Sequence, residues 1–165
     1  MKKIIALIVV CIMMFSFTGC EKKDDGNTLD IFYLNIDATA TVPEKYELKG
    51  SDESVDKQVD ELLDKLSSKP DDSKLRKTIP DDVEIKKHEE NAYSCTIDFS
   101  KSYYDMTAAE EVLMRASVVR TLTQLKQITY VMFTVDKAPL MNSDGEVIGS
   151  MNADDFVENP GEQIN

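Results

Sequence analysis

The chain opens with two lysines and an uncharged stretch from Ile4 to Phe17, which ends at Phe17-Thr18-Gly19-Cys20 and gives way abruptly to Glu21-Lys22-Lys23-Asp24-Asp25. An apolar run of about 14 residues rises roughly 21 Å as a helix, short of the ~30 Å hydrocarbon layer of a bilayer. Lys2 and Lys3 supply a positive n-region, so residues 1–19 read as an export signal peptide and not as a permanent span. What is left to fold is about 146 of the 165 residues. That is the size of one domain with room for a real hydrophobic core.

The end of the signal is similar to a lipobox, in which small residues precede a cysteine that is acylated and becomes the first residue of the mature protein. Gly19-Cys20 fits the pattern, while Phe17 stands where leucine is more usual. An ordinary secretory signal with an incidental cysteine is the other reading. Polar residues that start directly after Cys20 favour the lipoprotein. Cys20 is therefore the expected lipidation site, and a two-chain palmitate-type anchor meets the requirement for stable attachment to the extracytoplasmic face of the cell membrane. Residues 20–28 follow as lipidated cysteine and polar tether, which reaches roughly 15–17 Å as a flexible coil. The folded domain is expected over 29–157 and a C-terminal tail over 158–165.

Loss of residues 1–19 removes Lys2 and Lys3 from 19 basic side chains and none of the 31 acidic ones, so 17 against 31 leaves a mature charge of about −14. Such a surface repels phosphate backbones and anionic headgroups, which disfavours nucleic-acid binding and electrostatic membrane adhesion. Attachment has to come from the lipid.

Cys11 lies in the signal and Cys20 at the anchor, so the folded part keeps only Cys95. No intrachain disulfide and no cysteine metal cluster is expected. Tyr93, Cys95, Ile97 and Phe99 alternate with Ser94, Thr96 and Asp98, which places Cys95 on the apolar face of a strand as a small hydrophobe.

Leu29 to Ile36 reads as a covered strand, and Thr39 to Leu48 as a second extended stretch interrupted by Pro43. Val55, Val59, Leu62, Leu63 and Leu66 recur at helical spacing, with Asp52 and Glu53 suited to the positive end and Pro70 forbidding continuation beyond Ser67 or Ser68. Val83 to Lys86 and Tyr93 to Phe99 look like antiparallel strands around a turn at Glu89-Glu90-Asn91-Ala92. Thr107-Ala108-Ala109-Glu110 is a capping box that opens a helix with one buried stripe, Val112, Leu113, Ala116, Val119, Leu122 and Leu125. Tyr130 to Val135 is a further strand, and Asp136 to Ile148 reads as a hairpin turning at Ser143-Asp144-Gly145. The sum is an α+β single-domain sandwich, two main helices packed on a mostly antiparallel or mixed sheet.

The order Ile79-Pro80, Val83, Ile97-Asp98-Phe99-Ser100, Thr121-Leu122-Thr123-Gln124-Leu125 and Val131 to Asp136 resembles the GerMN domain of sporulation and spore-germination proteins, over roughly Ile31 to Phe156. Lys137 departs from that pattern, since a glycine commonly follows Val-Asp there. The resemblance implies a non-enzymatic envelope lipoprotein, similar to ring-building modules of sporulation assemblies, with envelope proteins as partners and possible self-association. It supplies no catalytic residues.

The residues supply none either. His88 is the one histidine, in a Lys- and Glu-rich stretch near a predicted turn, and reads as a surface residue. With neither His-x-x-x-His nor Cys-x-x-Cys, no metal site and no cofactor are expected. Glycine-rich nucleotide loops and Gly-x-Ser-x-Gly are absent. Asn142-Ser143-Asp144-Gly145 is not a calcium loop, because Leu140 and Met151 would fall at its first and last ligand positions. Asp24-Asp25, Asp71-Asp72, Asp81-Asp82 and Asp154-Asp155 read as solvated loop charges. The chain is thus expected to be an interaction module, the alternative being a lipoprotein that captures a small cell-wall or nutrient molecule.

Overall fold

The computed structural model describes residues 27–156; the signal, Cys20 and the C-terminal tail lie outside the described residues. β1 (Thr28–Asn35) and β2 (Thr41–Glu47) form an antiparallel pair, and β3 (Leu75–Arg76) joins the far end of β1. Pro43 sits inside β2 opposite Phe32. The Phe32 amide points away from β2, to the Thr121 hydroxyl. The missing N–H of Pro43 therefore faces the open edge and costs no ladder bond.

Helix α1 (Val55–Ser67) follows, burying Val59, Leu62, Leu63 and Leu66 as the spacing predicts. It ends at Ser67, three residues before Pro70, where the Ser67 and Ser68 hydroxyls donate to the Leu63 and Asp64 carbonyls. β4 (Ile85–Asn91) and β5 (Ser94–Phe99) are antiparallel, with β6 (Tyr130–Val135) parallel to β5 and β7 (Ala138–Pro139) antiparallel to β6. The parallel step from β5 to β6 runs through helix α2 (Ala108–Leu122), which the Thr107–Glu110 capping box opens as predicted.

The fold class is α+β as expected, but the strands divide into two sheets, β2-β1-β3 and β4-β5-β6-β7, and each helix packs against both of them. Helix α2 packs against β1 and β2 on one side and β6 on the other. It consequently buries Met114, Ser117, Val118 and Thr121 besides the predicted Ala116, Val119 and Leu122, while Val112 from the predicted stripe is exposed. A single-stripe reading fails for a helix sandwiched between two layers.

The sheets do not merge, because side chains occupy the edge of β1 beyond its two-residue pairing with β3. Gln124 accepts from the Asp30 amide at 2.8 Å and donates to the Asp30 carbonyl at 2.7 Å. Thr121 accepts from the Phe32 amide, and the Thr78 hydroxyl donates to the Phe32 carbonyl at 2.9 Å. These four bonds satisfy backbone groups that a neighbouring strand would otherwise pair.

Two local corrections follow. The β4–β5 turn is tight at Ala92-Tyr93, so Glu89 and Glu90 belong to the strand, and Ala92 takes a left-handed φ of +54°. Tyr93 therefore projects from the turn, 67% exposed, and does not join the apolar face of Cys95, Ile97 and Phe99.

Candidate functional site

Chemistry-bearing side chains converge where the edge strand β4 meets α1. On β4, His88 and Glu90 are two residues apart and share the inward face. The register sets Glu90 opposite Cys95 and His88 opposite Ile97 on β5. His88 Nδ1 lies 2.7 Å from Glu90 Oε1, and Nε2 lies 2.8 Å from Asp60 Oδ1 on α1. The Cys95 thiol faces the same Glu90 oxygen at 3.8 Å. His88 is thus not a surface residue near a turn: its side chain is 11% exposed, inside the strand.

Burial opposes charge on the His88 imidazole, but the hydrogen bonds to Asp60 and Glu90 outweigh it and shift its pKa upward. Cys95 moves the other way from a reactive thiolate. Burial, reinforced by the Glu90 charge, pushes its pKa up to about 12, so it is no nucleophile in this setting.

Elsewhere, polar groups serve the scaffold. The Tyr103 hydroxyl donates to Glu111 at 2.6 Å, and Arg115 pairs with the same carboxylate. Asn142 Oδ1 accepts from the Asp144 and Glu146 amides with Gly145 at φ +77°, which is a closed turn and not a calcium loop. Asp72, Asp81 and Asp155 accept from the Lys74 amide, the Lys77 ammonium and the Asn152 amide. Asp24-Asp25 and the lipidation site Cys20 fall outside the described residues.

Among the described residues, surfaces suited to recognition include the following. Tyr93 and Tyr130 are both exposed where β5 and β6 begin, and the Tyr93 carbonyl accepts from the Tyr130 amide. Tyr104, Val112 and Met141 expose apolar surface around a groove of about 380 Å³ floored by Tyr103 and Leu140. On the outer face of the second sheet, Thr96, Asp98 and Thr134 line a hollow of about 460 Å³ rimmed by Lys86, Lys87 and Lys137.

A protein-family model, Germane, described as sporulation and spore germination, matches residues 30–141. The chain belongs to this family. Membership puts it among sporulation and spore-germination proteins. The fold agrees with the tandem GerMN domains of the sporulation protein GerM from Bacillus subtilis, at TM-score 0.65 and 18% identity, over 84% of this chain and 50% of that one. The first GerMN domain of GerM alone gives TM-score 0.61 at 17% identity, over 78% of this chain and 98% of that one. A candidate lipoprotein from Clostridium perfringens gives TM-score 0.53 at 15% identity, over 80% of this chain and 93% of that one. The chain therefore spans half of the tandem GerM structure and corresponds in extent to one GerMN domain. No curated protein sequence matches it.

For this Germane-family chain, the segment Thr121-Leu122-Thr123-Gln124-Leu125 acquires a physical role, since Thr121 and Gln124 close the β1 edge. The cluster of His88, Glu90, Cys95 and Asp60 contains no short metal-ligand or triad motif. Its one sequence signal is that His88 and Glu90 share a strand face, and only the β4–β5 register brings Cys95 to them.

Proposed function

We propose that the chain is an exported lipoprotein, held by a lipid on Cys20 at the extracytoplasmic face of the membrane, that contributes a non-catalytic protein-binding domain to a sporulation or germination assembly. Family membership across residues 30–141 carries this reading. The signal-like residues 1–19 support the anchor, and the acidic surface speaks against nucleic acid. Tyr93 and Tyr130 are the favoured contact residues, because exposed aromatic side chains give large contact area with few rotamers to fix. Partners would be envelope proteins or further copies of this chain.

In-cell crosslinking, followed by affinity purification through a C-terminal tag and mass spectrometry, tests both parts. Envelope proteins are expected as reproducible neighbours in the wild type, and Cys20→Ala should lose them together with membrane retention. Unchanged retention and a normal mature mass in Cys20→Ala would sink the anchor; recovery of the acylated protein alone would sink the docking role.

The 460 Å³ hollow beside Asp98 favours a second reading, capture of a small envelope metabolite. Native mass spectrometry that finds no bound or bindable molecule would remove it.

A further inference from the structure

The cluster between β4 and α1 has a property that neither the family nor the docking role requires. A His88 ring nitrogen, a Glu90 carboxylate oxygen and Cys95 Sγ all lie within 4.8 Å of one another; Nδ1 is the nitrogen against Glu90, and Asp56 Oδ1 stands 4.0 Å from it. We propose that His88, Glu90 and Cys95, with Asp56 closing the fourth side, bind one borderline divalent transition cation of the zinc type.

Ligand atoms around a tetrahedral zinc sit ~2.0–2.3 Å from the ion and hence roughly 3.3–3.7 Å from each other. The Glu90–Cys95 separation of 3.8 Å is already close to this, and the His88–Glu90 contact of 2.7 Å has to open by roughly 0.6 Å or more as the ion replaces the shared proton. One sulfur, one imidazole nitrogen and carboxylate oxygens suit zinc; calcium and magnesium prefer oxygen alone.

The remaining side of the imidazole fits the same reading. Nε2 is engaged by Asp60 at 2.8 Å, which fixes the ring and leaves Nδ1 as the atom turned to Glu90. A carboxylate on the second ring nitrogen is the usual companion of a metal-bound histidine. Binding is balanced by proton loss: the Cys95 thiol releases its proton to solvent, and His88 releases one if it enters as imidazolium. The ion would join α1, through Asp56, to β4 and β5. It would act as a structural clip and needs no open coordination position.

The full chain in detergent, stripped with chelator, can be titrated with Zn²⁺ by calorimetry and with Co²⁺ by absorption. One ion per chain is expected, with a thiolate-to-cobalt charge-transfer band that persists in a Cys11→Ser/Cys20→Ser variant and vanishes in Cys95→Ala. Zinc should raise the thermal midpoint of the wild type and leave that of Cys95→Ala unmoved. Glu90→Gln and His88→Gln, at the margin of the core, keep the test open if Cys95→Ala folds poorly; both should abolish stoichiometric binding. Asp60→Asn, as a positioning change, should weaken it on the order of 10- to 100-fold. Absence of stoichiometric binding in the wild type, or binding that survives both Cys95→Ala and His88→Gln, would overturn the proposal.

Discussion

Asp136 and Lys137 make the two-residue connection between β6 and β7, and both hold left-handed backbone, at φ +52° and +70°. Aspartate tolerates that region, but an ordinary side chain with a Cβ pays roughly 1–2 kcal/mol there. The Lys137 amide also donates to Asp98 at 2.7 Å, so the turn is fixed from below. Lys137→Gly should therefore stabilise the domain by about 1 kcal/mol, read as a higher urea midpoint at unchanged slope. A lower midpoint would mean that the lysine side chain contributes more than its backbone costs. The sequence marked this position through its departure from Val-Asp-Gly, whereas nothing in it marked His88 as half-enclosed. The partners of His88 on α1 and β5 are set by packing and register, which no local pattern around residue 88 encodes.

At the scale of elements, the start of α2 is the best-written part of the chain, because its capping box is chemistry within three residues. The bracing of β1 is the opposite case, with Gln124 reaching a residue 94 positions away. Gln124→Ala leaves the Asp30 amide and carbonyl without their side-chain partners and should cost about 2–3 kcal/mol, measurable by urea unfolding. A change under about 0.5 kcal/mol would show that water replaces the amide without loss.

A second brace joins α1 to the end of β2. Partial burial opposes ionisation of Glu61, but the Tyr46 hydroxyl and the Lys49 and Gly50 amides outweigh it and hold the carboxyl below the usual range. A depressed folded value means that Glu61 stabilises the fold above its unfolded pKa, and that this contribution is lost as pH falls through the folded value. Glu61→Gln should lower stability at neutral pH and flatten its decline from about pH 5 to about pH 3. Parallel acid limbs in the two proteins would contradict this.

For the whole molecule, a helix that packs against both sheets should make them unfold as one cooperative unit. Leu122 is fully buried on that helix. Leu122→Ala should cost about 2–5 kcal/mol and move the transitions seen by far-ultraviolet dichroism and tyrosine fluorescence together. Separated transitions would mean that the sheets unfold independently. The same enclosure explains the limits of reading α2 from spacing. Ala116, Val119 and Leu122 were legible as one stripe, but Met114, Ser117 and Val118 are buried by a second layer whose presence periodicity cannot report.

The sequence alone determined what rests on neighbours along the chain. Alternation set β5, the 3–4 spacing set α1, the capping box opened α2, and the order of strands and helices set the α+β class. It took the folded chain to settle that the strands form two sheets bridged by the helices, that Thr78, Thr121 and Gln124 finish the edge of β1, and that His88, Glu90 and Cys95 face one another. Those outcomes depend on which distant groups satisfy buried hydrogen bonds and fill the core, a choice made by the folded chain as a whole and not by any one segment.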